Sequence, residues 1–385
     1  MDYSRIVLDK FTLQEAQKVY ELARRATALS NNNSNNNNNS NSWLHLGQKT
    51  HHALQIIEQC LLDYDGLAHV ALSFNGGKDC TVLLHLLASV VYMRHYSPHL
   101  MILSESKLQS PPLSSSSTTT TTTTTKSSSN SSSPSPPAIP TLYVRCSNPF
   151  PQVEEFIAIA KARYNLNLVR ISGDMKLALL QYIQAYSHQP NNDNNTSNNY
   201  IDNDTTLKAF IIGTRKTDPH GDTLQETCHT DKGWPSLMRI HPILGWSYSD
   251  IWDFLKCPLL LPASSSSSTF LSSLLSLSST PKISTEITSS PTILNAPTNS
   301  NIVALSSSSD SPSAIANAKQ QHNYIERNDL GGIGWCSLYS YGYTSLGSTH
   351  NTFPNPHLKS DRQPSGYKPA WELTDHSQER AGRQL

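Results

Sequence analysis

No C-x-x-C pair occurs in this 385-residue chain, and its six cysteines (Cys60, Cys80, Cys146, Cys228, Cys257 and Cys336) are scattered. That spacing argues against a disulfide framework or a zinc site and fits reduced intracellular thiols. Charge is scarce and balanced, with 29 Lys and Arg against 29 Asp and Glu. Without a concentrated basic block, no nucleic-acid partner is expected. No apolar run approaches a membrane span, and the opening "MDYSRIVLDKFTLQEAQ" lacks an apolar signal core. A soluble cytoplasmic protein, with no membrane partner, is the expectation.

Aromatic residues are also nearly missing from long tracts at roughly 29–42, 104–137, 189–206 and 263–318, which consist mainly of Ser, Thr, Asn and Pro. Such segments bury too little apolar surface to offset their ordering entropy, so they are expected to be disordered insertions. Without them roughly 260 residues remain, about the upper size for a single core. Loop closure grows costly only slowly with length. One domain, 1–385, interrupted by insertions is therefore expected.

The remaining chain has a regular rhythm. "TLQE" at Thr12–Glu15 has the form of a capping box, with helical spacing through Ala26, and a second helix is expected from about Thr50 to Leu62. "LAHVALSF" reads as a buried strand and "TVLLHLLASVVYMRHY" as a helix. "TLYVRC", "LNLVRIS" and "LKAFIIG" are strand-like, and "QVEEFIAIAKARYN", "DMKLALLQYIQAYS" and "SYSDIWDFLK" are helical. This alternation implies an α/β fold, a mainly parallel sheet with helices on both faces. Ligands of such sheets sit outside the carboxyl ends of the strands, where three chemically suggestive segments fall, after Phe74, Cys146 and Gly213.

The first of these segments is "SFNGGKD", Ser73–Asp79. A glycine-rich turn feeding a helix presents backbone N–H groups to an anion, and Lys78 adds charge. The alternative is a tight strand-to-helix turn with Asp79 as its N-cap. The spacing fits neither the Walker loop nor the dinucleotide fingerprint. "SFNGGKD" instead resembles the PP-loop of ATP pyrophosphatases, with two departures: Asn75 stands before the glycines, and Cys80 replaces the usual hydroxyl residue. Those departures resemble the eukaryotic FAD synthases (FMN adenylyltransferases), relatives in fold of the phosphoadenylylsulfate reductases. "FIIGTRKTDPHGD", "TDKGWP", "RIHPILGWSYSDIWDFL", "YGYTSLGS", "NPHL" and "AWELTDHSQERAGR" resemble the same family in the same order.

The resemblance implies that AMP passes from ATP to FMN, giving FAD and pyrophosphate with Mg²⁺ as cofactor. The implied phosphate and ATP contacts are Ser73, Phe74, Gly76, Gly77, Lys78, Asn148, Gly213 and Arg215. Asn75, Asp79, Arg380 and Arg383 are the implied catalytic set, and Asp79 and Asp218 would organise Mg²⁺ directly or through water. Asp231, Trp234 and Arg239 would hold the flavin. Several of these residues have plainer readings. Asp218–Pro219 suits an ordinary turn, Trp234 suits a core, and Arg380 with Arg383 suits a solvated tail. Trp246, Trp252 and Phe254 are expected in the core. His95 and His99 are separated by Pro98, so no catalytic or metal-binding histidine is assigned.

Other classes remain as alternatives. A phosphoadenylylsulfate reductase-like enzyme needs a reactive cysteine, for which Cys336 is the candidate, although it lacks that family's charged motif. A tRNA-thiolating enzyme would bring C-x-x-C pairs or a basic face, and both are missing. A non-catalytic interaction protein would have no use for intact Asn75, Lys78, Asp79, Arg380 and Arg383. The working expectation is a monomer acting on the small molecules ATP and FMN.

Overall fold

The first helix opens on the expected capping box. The Thr12 N–H donates to Glu15 Oε2 at 2.9 Å, and the Glu15 N–H donates back to Thr12 Oγ1 at 3.3 Å. The computed structural model describes residues 10–31, 38–103, 135–186, 206–260 and 334–384. Helix α1 (Leu13–Asn31) and helix α2 (Asn38–Asp63) both extend into the ends of the Asn-rich tract at 29–42. Apart from a few edge residues, the tracts 104–137, 189–206 and 263–318 lie outside the described residues. The first two helices touch at Gly47, where a Cβ would stand 2.5 Å from Ala26 Cβ and 2.7 Å from Leu22 O. Only glycine admits that approach.

Strand and helix then alternate as the periodicity predicts. The elements are β1 (Val70–Ser73), α3 (Lys78–Tyr96), β2 (Ile139–Arg145), α4 (Pro151–Arg163), β3 (Leu166–Ser172), α5 (Met175–Tyr186) and β4 (Ala209–Ile211). Two three-residue strands follow, β5 (Thr227–His229) and β6 (Met238–Ile240), and then α6 (Tyr248–Leu255). The sheet order is β3-β2-β1-β4-β6-β5, parallel throughout except that β5 runs antiparallel to β6. The expected α/β fold is present, with β5 and β6 as additions.

Alternate side chains of the strands feed two cores. Val70 and Leu72 of β1 join the larger core with α1, α2, α3, α4 and α6, whereas Ala71 turns to the other face with Leu142, Phe210, Leu179 and Tyr182 beneath α5. Helix α3 is buried almost all round, as its uninterrupted apolar sequence demands. Trp246, Trp252 and Phe254 lie in the larger core, as expected.

The topology also locates a crevice. From β1 the sheet grows one way through β2 to β3, and the other way through β4 to β6. The strand order therefore reverses between β1 and β4, and the crevice opens at their carboxyl ends. The loops leaving those strands are Phe74–Gly77 and the run starting at Ile212. The second packs against the first turn of α3, which the first feeds, because a Cβ on Gly213 would meet the backbone N of Cys80 at 3.1 Å.

Candidate active site

The loop after β1 owes its shape to its glycines and to one amide. Gly76 has φ +76°, and a Cβ there would press on Ile157 and Val153 of α4 at 3.1 and 3.3 Å. Asn75 Oδ1 accepts the Gly77 N–H at 3.0 Å and the Cys80 thiol at 2.9 Å. With that oxygen turned onto the loop, the amide nitrogen of this exposed residue is the end left to face a ligand. The thiol also lies 3.1 Å from Gly77 O. Burial pushes the Cys80 thiol up to about 12, so it acts as a neutral donor. Cys80 thus holds Asn75 from the first turn of α3.

Helix α3 has Gly77 as its N-cap, and no side chain caps it. Asp79 lies in the first turn and is not the N-cap, which removes the capping alternative for this residue. The Lys78 N–H donates instead to the Tyr339 hydroxyl at 2.8 Å.

Behind the loop lies a buried ion network. Lys78 Nζ donates to Asp79 Oδ2 at 2.9 Å and to Glu379 Oε1, and it sits over the Tyr248 ring at 5.3 Å. Arg215 Nη2 donates to Asp218 Oδ1 at 2.9 Å and to both Glu379 oxygens at 2.8 and 2.7 Å. The Arg215 N–H adds a bond to Asp218 Oδ2 at 2.8 Å. Arg215 Nε and Asp79 Oδ1 form an ion pair at 2.9 Å, but they are not aligned for a hydrogen bond, so Asp79 Oδ1 has no hydrogen-bond partner.

Lys78 is 2% exposed and Arg215 1%. Burial works against both charges, but the surrounding carboxylates outweigh it and hold both groups above their usual pKa. For Asp79, burial favours the neutral acid, and Lys78 and Arg215 overcome it to keep the carboxylate ionised. Both cations are thus engaged inside the protein, and the loop meets the outside through its backbone and Asn75.

The C-terminal motif forms a turn against this network. Glu379 enters the network, Arg380 is exposed, and the Arg383 N–H closes the turn onto Arg380 O at 2.8 Å. The Arg383 guanidinium donates to Leu346 O at 2.6 Å and packs on Gly347, where a Cβ would fall 2.4 Å from Nη2. Burial first, and then neighbouring Arg380, lower the Arg383 pKa. Asn148 is exposed, and its carbonyl accepts the Thr349 N–H at 2.8 Å. Pro151 begins α4, one residue ahead of the helical segment expected from Gln152.

The family model described as "Phosphoadenosine phosphosulfate reductase domain" matches residues 69–258. A probable FAD synthase of Schizosaccharomyces pombe is 28% identical over 333 residues, covering 86% of this chain and 77% of that one. The flavin adenine dinucleotide synthase of Saccharomyces cerevisiae is 24% identical over 351 residues, 86% and 78% of the two chains. The chain is similar to the FAD synthases among the PP-loop proteins.

Solved members carry the same fold. Yeast FAD synthetase in complex with FAD matches at TM-score 0.51 and 20% identity, over 97% of this chain and 99% of that one. Candida glabrata FMN adenylyltransferase in complex with FMN and the ATP analogue AMPCPP matches at TM-score 0.53 and 20% identity, over 98% and 99%.

The candidate flavin residues share the edge hairpin of this PP-loop fold. Arg239 on β6 holds Asp231, which follows β5, through two bonds of 3.0 and 3.2 Å, and it also donates to His229 O at 2.8 Å. Gly233, at φ +86°, lets the chain turn so that the Trp234 N–H reaches Asp231 O at 3.0 Å. Trp234 is 39% exposed and outside the core, unlike the core residue its type would suggest. Asp231 is largely exposed despite its pairing. Cys336 is the reverse case. It is fully buried beside Trp335, and burial raises its thiol to about 12, which deprives the reductase alternative of its nucleophile.

Residue-by-residue reading missed Glu379, Tyr339 and Tyr248. Glu379 stands inside the motif "AWELTDHSQERAGR", where the charges of Arg380 and Arg383 are the ones that suggest a phosphate partner. The two tyrosines carried no local signal. Among the described residues no helix is long and apolar enough to cross a membrane.

Proposed function

We infer that this protein is an FAD synthase, transferring AMP from ATP to FMN with release of pyrophosphate. The observation that carries the reading is the PP-loop at the strand-order switch, with the C-terminal arginine turn drawn against it through Glu379. Its family relatives are named for the same reaction.

The chemistry needs little from side-chain bases. A phosphate oxygen of FMN is already anionic at neutral pH and attacks the α-phosphorus of ATP. The bond from that phosphorus to the bridging oxygen breaks, pyrophosphate departs with the electron pair, and no proton moves. Catalysis then rests on in-line placement and charge neutralisation. The Gly76 N–H and the amide of Asn75 bind the departing phosphates, Gly77, whose N–H is held by Asn75 Oδ1, lets the backbone come close to them, and Ser73 and Phe74 form the loop's base. Gly213 allows the second loop to come close, and Asn148 borders the adenine. Arg380 and Arg383 balance the charge that builds in the transition state. Asp231, Trp234 and Arg239 hold the flavin through an acceptor, a flat face and a cation.

Lys78 and Arg215 act from beneath the loop. Two cations against three carboxylates leave the network with one net negative charge. A bare polyphosphate gains nothing from such a network, whereas one carrying a divalent cation does. Asp79 and Asp218 offer the hard oxygen donors that Mg²⁺ takes, one or two carboxylates with substrate phosphates completing its shell. Asp79 Oδ1, buried, without a hydrogen-bond partner and in an ion pair with Arg215 Nε at 2.9 Å, is the oxygen of that set with a lone pair to offer. Mg²⁺ bound there would neutralise charge on the phosphates. In the same reading the Ser/Thr/Asn-rich tracts are insertions in one domain, and the protein is a cytoplasmic monomer.

The test is direct: the purified protein is incubated with ATP, Mg²⁺ and FMN, and FAD and pyrophosphate are measured. Equal amounts of the two products are expected. No FAD from folded protein, or full activity in a folded Asn75→Ala, Asp79→Ala double variant, would overturn the reading.

A further inference from the structure

We propose that Glu379 is a positioning residue that fastens the arginine turn to the phosphate loop, an inference that rests on the site reading given above. Its carboxylate is shared between the cation that opens α3 and the cation of the loop after β4. Oε1 accepts from Lys78 Nζ, and both oxygens accept from Arg215 Nη2 at 2.8 and 2.7 Å. Its side chain is 12% exposed, so these bonds are largely shielded from water. A charge-assisted bond in such surroundings fixes geometry better than a surface ion pair does.

The rest of the turn is held from other directions. Asn355 Nδ2 donates to Gln378 O at 2.7 Å, and the Phe353 N–H donates to Gly382 O at 2.8 Å. The Glu379 carbonyl accepts Thr344 Oγ1 at 2.6 Å. These bonds tie the turn to residues 344–355. Glu379 is the member of the turn whose side chain reaches α3 and the loop after β4. Arg380 follows it directly in sequence and is exposed. The bond network therefore sets the distance between an arginine facing outward and the loop that grips the phosphates. Glu379 itself lies within the network and touches no reacting atom; it acts through Arg380.

The test compares wild type with Glu379→Gln, Arg380→Ala and the double variant under saturating substrates. Losing the charge while keeping the shape should lower kcat roughly 10²-fold, the cost of a misplacement near 1 Å, with KM for FMN held within about twofold. Because Glu379 works through Arg380, the double variant should be no slower than Arg380→Ala alone, within about threefold. Multiplying effects would overturn the proposal, as would an unchanged kcat in Glu379→Gln.

A second readout does not depend on the reaction. Trypsin should cut after Arg380 faster in Glu379→Gln than in wild type, by about an order of magnitude if the turn opens locally. Equal cleavage would overturn the tether. If wild type makes no FAD, the functional reading fails while the cleavage comparison still decides the tether. Should Glu379→Gln not fold, Glu379→Asp keeps the charge but shortens the reach. The same loss of kcat and faster cleavage are then expected, and wild-type values would overturn the proposal.

Discussion

The Tyr339 hydroxyl accepts the backbone N–H of Lys78 at 2.8 Å, taking the place of a side-chain cap at the start of α3. Tyr339 is 1% exposed, and burial keeps its phenol protonated well above its usual pKa. Tyr339→Phe removes that acceptor and leaves a buried donor without a partner. The expected cost is about 1–3 kcal/mol of stability. It should be read as a lower melting temperature, with FAD formation falling because the loop loses its support. A variant that melts with wild type would show that water replaces the hydroxyl.

Cys80 provides a second check. If its thiol serves only to hold Asn75 Oδ1, Cys80→Ser should keep near-wild-type FAD formation. Cys80→Ala should lose roughly 0.5–1.5 kcal/mol of positioning, a few-fold to tenfold in kcat. Equal rates for the two variants would remove Asn75 orientation from the role of this residue.

Asp231 should separate the substrates. Asp231→Ala frees Arg239 and deletes an acceptor from the flavin hairpin. KM for FMN should rise by an amount equivalent to about 1.5–3 kcal/mol, while KM for ATP stays put. Steady-state kinetics with each substrate varied in turn makes the comparison, and an unchanged FMN constant would move the flavin elsewhere.

Acid stability should depend on His241. It is 1% exposed, and burial first, then the Arg239 charge, lower its pKa to about 4. The unfolded chain protonates it near 6.5. Between those values the unfolded state binds the extra proton. The stability linked to this group is therefore complete above about pH 6.5 and is lost as pH falls toward 4, up to about 3 kcal/mol. Melting temperatures across that range should fall less steeply in His241→Leu than in wild type. Parallel curves would show that other groups set the acid limit.

The sequence made much of this fold legible because long elements repeat their period. β3 occupies the same residues, 166–172, as its apolar segment, and α3 differs from its expected start by three residues. β5 and β6, at three residues each, are too short to show alternation. In the site, the glycine turn was readable because its letters are local. Glu379 and Tyr339 were not, since their meaning lies in partners brought close only by the fold. The orientation of Lys78 was hidden for a related reason: the letters "GGKD" suggest a cation beside phosphate, but the side chain turns toward neighbouring Asp79 and toward Glu379, a carboxylate supplied from elsewhere.

The separation of Glu379 from Lys78 sets an order of events. Lys78 and Glu379 are 301 residues apart in sequence, while β1 and α3 adjoin. Contacts between distant residues form after local ones, because chain entropy must be lost before they reward it. The sheet and its glycine turn should therefore assemble first, with Lys78 and Arg215 awaiting their third carboxylate. Refolding followed by far-UV circular dichroism and by FAD formation should then show two clocks, structure recovered early and turnover later, when the last turn of the chain docks.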